Sequence, residues 1–250
     1  MQEYWELYMK NLEGHPASIQ FNAGISMDIK EDLEYSHPIV AFVKVKLKEP
    51  NEKGLISEQE EPEILFLEDK LEAGTMRFRI GKYVGRVISD GHVTFLYYTQ
   101  YTYNWAEFIE SSLNEHTSYE ITNGHEADEG WNYYYKLLYP TPKEWQIIQN
   151  HKACDQLKES EDNLYLKRAI EHKLYFTNED KKDALIKALE ERNFKIQKDI
   201  VNEDGVKGFG FYRIDKPFYH DIDALTLELI DLVELYDAQY DGWETSLVKS

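Results

Sequence analysis

The stretch Phe194-Lys195-Ile196-Gln197-Lys198-Asp199-Ile200-Val201, followed by Asp204-Gly205 and then Val206-Lys207-Gly208-Phe209-Gly210-Phe211-Tyr212-Arg213-Ile214, reads as two strands joined by a turn. β-Branched and aromatic residues fill both runs, and Asp-Gly is a strong hairpin signal. Outward from this hairpin the pattern becomes helical on both sides. Before it, Ile170 to Phe176 is strand-like and Asn178 caps a helix running to Arg192. After it, His220 to Tyr236 is helical, and Asp241-Gly242 leads to a final strand, Trp243 to Val248. The order is βαββαβ, which folds as an antiparallel sheet with two helices on one face. A further helix, about 142 to 158, precedes it and turns Trp145, Ile148 and Cys154 inward.

The first half carries the same order behind one extra strand, Ser18 to Phe21. Ile39 to Leu47 alternates as a strand, and Ser57 to Leu71 is helical, with Ile64, Leu67 and Leu71 on one stripe. Pro62 belongs in that helix's first turn, where Ser57 and Glu60 are spaced for a capping box. Arg77 to Ser89 and His92 to Tyr101 form a hairpin about Asp90-Gly91. Asn104 caps a helix with Trp105, Phe108, Ile109, Ser112 and Leu113 inward, and Trp131 to Leu138 supplies the last strand. Tyr139-Pro140-Thr141-Pro142 halts both kinds of element. The expectation is an α+β protein of two ferredoxin-like sandwich domains with antiparallel sheets, residues 1–140 and 143–250. Each sheet has one face free of its own helices.

Hydrophobic residues make up 42% of the 250, which is enough for packed cores and excludes general disorder. The formal charge of −19 opposes generic nucleic-acid binding, which needs Lys and Arg to displace phosphate counterions, and opposes anionic membrane surfaces. No apolar run is long enough to span a bilayer, and the start Met1-Gln2-Glu3-Tyr4-Trp5-Glu6 has no signal-peptide pattern. The single cysteine, Cys154, has no internal disulfide partner. These features place the expected location in the cytoplasm.

Chemistry-bearing patterns are sparse. Gly124 to Gly130 gathers His125, Glu126, Asp128 and Glu129 on an apparent loop, an incomplete metal-ligand set that reads as solvated. His220-Asp221-Ile222-Asp223 reads as a helix start, where acids suit the macrodipole. There is no Gly-x-Ser-x-Gly elbow, no Walker loop and no Gly-x-Gly-x-x-Gly, so no cofactor is expected. Lys207 to Phe211 matches the first five positions of the RNA-recognition RNP1 consensus, on the third strand where that motif belongs. Tyr175, Phe209 and Phe211 would then stack bases. Tyr212 and Ile214 miss the later positions, and residues 151–250 carry 15 basic against 22 acidic side chains, so protein packing is the preferred reading of these rings. The last helix turns Ile222, Leu225, Leu229, Leu232, Val233 and Tyr236 one way and leaves Leu227, Ile230 and Leu235 among acids on the other.

Two stretches carry a family resemblance. Lys173-Leu174-Tyr175-Phe176 and the tail from Tyr236 to Thr245, behind a helix-first βαββαβ order, resemble the bacterial B-type regulators of ribonuclease E activity. Trp5, Phe21-Asn22 and Trp131 to Pro140 resemble a bacterial domain family of unknown function, which brings no activity with it. The first resemblance implies a ferredoxin-like sandwich that binds and inhibits a ribonuclease without chemistry of its own. The expected function is therefore a non-enzymatic regulator with a protein partner and the candidate surface Tyr175, Phe209, Phe211, Leu227, Ile230, Leu235 and Trp243. RNA binding by the C-terminal sheet and a metal-dependent enzyme with an acidic site are the alternatives.

Overall fold

A computed structural model describes residues 4–25, 36–113 and 118–249. The chain divides into two compact units, Met1–Pro140 and Thr141–Ser250. Both are α+β, each with its own antiparallel sheet.

The first unit contains strands β1 (Trp5–Leu12), β2 (His15–Asn22), β3 (Ile39–Lys46), β4 (Lys82–Ser89), β5 (His92–Thr99) and β6 (Ile121–Ala127). Helix α1 (Glu61–Phe78) lies between β3 and β4, and α2 (Trp105–Leu113) lies between β5 and β6. The six strands run in the order β1-β2-β4-β5-β3-β6. Strands β3 to β6 with the two helices make a ferredoxin-like βαββαβ, and the β1–β2 hairpin extends the sheet beside β4. Val43, Val45, Phe95 and Tyr97 meet Ile64, Leu67, Leu71, Trp105 and Phe108 in the core between sheet and helices.

Trp131 to Leu138 is not a strand: Tyr133–Leu138 is a π-helical turn, and the closing strand is β6. The buried residues Trp131, Tyr134 and Leu138 are spaced by three and four, a helical period hidden by residue types that favour strands. β6 escapes notice because it is a polar edge strand whose backbone pairing with β3 holds it. β1 was likewise not expected; Glu13 and Gly14, both at positive φ (52° and 93°), turn it into β2. Residues 77 and 78 end α1 rather than opening a strand. The Ser57–Glu60 capping box does not form, because the Glu60 carboxylate accepts from the backbone N–H groups of Lys48 (2.7 Å) and Glu49 (3.0 Å).

The sheet face away from α1 and α2 is not open over β2, β4 and β5. The segment from Trp131 to Tyr139 lies on it. Trp131 stacks on Tyr98 (3.9 Å between centroids, 11°), Tyr134 donates to the Asn22 carbonyl (2.6 Å), and Tyr8 donates to the Leu138 carbonyl (3.1 Å). Leu138 seats against Gly85, at a β-bulge with φ 155°, where a Cβ would lie 3.0 Å from its Cδ1 and 2.3 Å from the Gln20 carbonyl.

The second unit opens with α3 (Pro142–Glu159), then β7 (Arg168–Phe176), a 3₁₀ turn and α4 (Lys182–Glu190), β8 (Lys195–Val201), β9 (Lys207–Asp215), α5 (Tyr219–Glu234) and β10 (Ala238–Glu244). Its order β10-β7-β9-β8 is the ferredoxin-like arrangement. Asp241-Gly242 does not precede the last strand but sits inside it, at the bulge between Tyr240 and Gly242, and the strand ends at Glu244. Pairing with β7, not the turn signal, sets its limits. Among the described residues no helix is long and apolar enough to cross a membrane.

Candidate protein-binding groove of the C-terminal unit

Thr141 starts α3 with a full capping box. Its hydroxyl accepts from the Glu144 N–H (3.3 Å), its own N–H donates to the Glu144 carboxylate (2.8 Å), and Pro142 follows in the first turn. The helix packs along α5, whose Ile222, Leu225, Leu229, Leu232 and Val233 are buried as their helical spacing requires. Within this contact Asn150 is fully buried. Its Nδ2 donates to Thr226 Oγ1 (2.7 Å) and Asp223 Oδ1 (2.9 Å), and its Oδ1 accepts from Gln146 Nε2 (2.8 Å) and Trp243 Nε1 (2.8 Å). Four bonds saturate the amide and lock α3, α5 and β10 together. Asn150 was missed in the sequence, although Gln146, Asn150 and Cys154 recur at i, i+4 on the inward face.

This lock shapes a groove of about 890 Å³ between the start of α3, the end of α5 and β10. Pro142, Trp145, Ile230, Val233, Ala238 and Tyr240 line it with apolar surface. At its rim Lys143 pairs with Asp231 (2.5 Å) and Lys181 with Asp237 (2.8 Å). These exposed pairs orient side chains more than they stabilise the fold. Leu235, just beyond α5, is 72% exposed.

Of the candidate surface residues, Ile230 lines the groove and Leu235 is exposed just past its helix. Leu227 is half-buried on α5, and Trp243 is half-buried with its indole N–H bound to Asn150. Phe209 and Phe211 do not belong to any surface: both are 0% exposed, in the core between sheet and helices. Pairing of Leu174 with Phe209 and of His172 with Phe211 puts the two rings on the helix-covered face. Strand side chains alternate, so the RNP1-like pattern here sits one residue out of phase with an exposed stacking platform. The opposite face carries Glu171, Lys173, Tyr175 and Tyr212, with Tyr175 lying against Gly208; a Cβ at 208 would come within 2.9 Å of its ring.

The acidic segment of the first unit is a loop only from Asp128 to Gly130; Gly124 to Ala127 are strand. His125 and Glu126 lie on β6, with Glu126 accepting from Tyr133, while Asp128 is buried and accepts from Tyr98, Asn132 and Tyr133. Among the described residues no group of three or more His, Cys, Asp or Glu is placed to hold a metal. Cys154 is buried and donates to the Pro217 carbonyl (3.3 Å); burial, then Asp223 and Asp155, push its thiol up to about 12, so it stays protonated and unreactive.

His172 is the buried titratable group of this core. It pairs through Nδ1 with the Tyr240 hydroxyl (2.8 Å) and stacks on Phe211, while its buried Nε2 has no partner. Burial, then the Arg213 cation, lower its pKa to about 3. The folded value lies below the unfolded 6.5, so the neutral ring's contribution is complete above pH 6.5 and is lost as pH falls toward 3. At ~1.4 kcal/mol per unit, the loss by pH 4 is roughly 3 kcal/mol. Denaturant melts at pH 7 and pH 4 should show that extra loss in the native chain and not in His172→Phe. A stability difference between the two proteins that does not change with pH would disprove it.

Residues 3–139 match the model described as "Family of unknown function (DUF695)". The chain belongs to that family. Residues 147–245 match the model "Regulator of ribonuclease activity B". No curated protein matches the chain. Among solved structures, one titled "Crystal Structure of an Unknown Protein from Galdieria sulphuraria" is 10% identical, covering 84% of this chain and 99% of its own, with a TM-score of 0.22. The second family match contains the α5 and β10 wall of the groove, Ile230 to Tyr240, while its α3 wall, with Pro142 and Trp145, precedes the match.

Proposed function

We propose that this chain regulates a ribonuclease of the ribonuclease E type by binding it through the C-terminal unit, with no catalysis of its own. The groove between α3, α5 and β10 is the contact in this reading. The observation that carries it is that the regulator-family match takes in the α5 and β10 wall of this apolar groove. Interfaces draw most of their binding energy from a few anchors in such pockets. Trp145, Ile230 and Tyr240 offer that kind of surface, held in place by the saturated Asn150 network. Base stacking is disfavoured, because two of the three rings it needs are in the core.

The test is RNA cleavage by the purified nuclease with the full chain added. Inhibition is expected, and Ile230→Asp/Leu235→Asp should weaken it by about ten- to a hundred-fold, or ~1.4–2.8 kcal/mol. Tyr175→Ala, on the other sheet face, should inhibit as the native chain does. Cleavage unaffected at saturating chain would refute the regulatory role. Full inhibition by the groove variant would refute the site.

A further inference from the structure

One wall of the C-terminal groove is an edge strand. β10 stands at the end of the order β10-β7-β9-β8 and pairs with β7 alone. Asp237 and the start of β10, Ala238 to Tyr240, line the groove without interruption.

The pairing fixes where this edge directs its backbone groups. The Thr177 N–H donates to the Asp237 carbonyl (2.8 Å), and Gln239 stands opposite Tyr175 in the antiparallel ladder. Gln239 therefore turns its N–H and C=O toward β7, while Ala238 and Tyr240 turn theirs to the outer side. Among the described residues nothing bonds to those outward groups. The side chains of the same two residues face the helices and line the groove, and the Tyr240 ring is held there by its bond to His172 (2.8 Å). Free main-chain groups beside an apolar trough suit an extended peptide added as a further strand.

The charge around this edge is one-sided. Lys143 and Lys181 are already paired, with Asp231 and Asp237. Glu234 lines the groove and Asp241 follows Tyr240, and neither forms an ion pair among the described residues.

We propose that β10 is a docking edge for an extended, basic segment of a partner protein, paired antiparallel with Ala238 to Tyr240. The identity of the protein that supplies the segment rests on the regulatory reading above. Residues of the segment opposite Ala238 and Tyr240 exchange N–H···O bonds with them and share their face, so both side chains enter the groove. These two are apolar anchors. The residue between them is opposite Gln239, with its side chain on the other face of the sheet and its N–H turned to solvent. A flanking lysine or arginine meets Glu234 or Asp241. The bulge between Tyr240 and Gly242 breaks the register, so the added strand is short.

A displayed library of short random peptides, panned on the full chain, tests the pairing with no nuclease present. Selected peptides should carry two apolar residues separated by one other, beside lysine or arginine. Synthetic copies should lose affinity at least about tenfold, or ~1.4 kcal/mol, when either apolar residue is N-methylated. N-methylation of the residue between them should change affinity little. Ile230→Asp, with an unchanged circular dichroism spectrum, should weaken the same peptides at least about tenfold. Apolar residues that recur three and four apart would replace the added strand with a helix in the groove and overturn the proposal. So would equal losses at all three N-methyl positions, selection of acidic peptides, binding that survives Ile230→Asp, or no selection at all. Peptides that pair as described while RNA cleavage is unaffected refute the regulatory reading alone. Inhibition of the nuclease without such peptides refutes the edge alone.

Discussion

Asp128→Ala is expected to destabilise the N-terminal unit by about 3–5 kcal/mol, because it orphans several buried donors at once. The Asp128 carboxylate accepts from the Tyr98 hydroxyl (2.5 Å), the Asn132 side chain (2.7 Å) and the backbone N–H groups of Asn132 (2.9 Å) and Tyr133 (3.0 Å). Burial alone would raise this carboxyl, but the hydrogen bonds outweigh it and hold the pKa below its ordinary value. The same bonds start the π-helical turn and hold Trp131 on Tyr98. Asp128→Asn keeps an acceptor for the backbone and should lose about half as much. Denaturant melts of the full chain, followed by near-ultraviolet circular dichroism of the stacked Trp131, measure both. An alanine variant within about 0.5 kcal/mol of the native chain would show that the segment is held by its apolar contacts alone.

Arg168→Met is expected to cost the C-terminal unit a similar amount, about 3–5 kcal/mol, for a different reason. Arg168 is 8% exposed, and it donates to Asp162 (2.6 Å), to the Asn163 carbonyl (3.3 Å) and to Thr245 (3.1 Å). Asp162 in turn accepts from the Val248 N–H (2.7 Å), so the pair ties the residues after β10 to the entry of β7. Removing the guanidinium leaves a carboxylate whose side chain has 0% exposure without its counter-charge. The double variant Arg168→Met/Asp162→Leu removes both charges and should recover part of the loss. A double variant at least as unstable as the single would show that packing, not the unpaired charge, accounts for the effect.

Local chemistry carried the second unit as far as its last strand, whose limits pairing with β7 sets. Asp204-Gly205 turns β8 into β9, Asn178 accepts from the Asp180 N–H, and the buried face of α5 is the one its spacing names. These signals act within a few residues, through turn geometry, capping and helical period, and are visible in any short window. The first unit was less legible where its structure rests on distant partners. β6 has one strongly apolar residue and is a strand because β3 offers it a ladder. The 131–138 segment has strand-forming residues and is a π-helical turn because Asp128 holds its start and the sheet face beneath it needs cover.

The candidate site divides in the same way. Composition and period determined an acidic two-unit α+β chain, and named Ile230 and Leu235 as apolar residues on the outward side of the last helix. Which way the β9 rings face is a matter of strand parity. A one-residue phase separates an exposed aromatic platform from a buried core, and only pairing with β7 sets it. The groove is likewise tertiary: Trp145, Ile230 and Tyr240 are up to 95 residues apart along the chain, and the buried Asn150 amide, bonded to α5 and β10, brings their elements together. Short-range spacing names the side chains, but their meeting depends on long-range packing and hydrogen bonds that no local window contains.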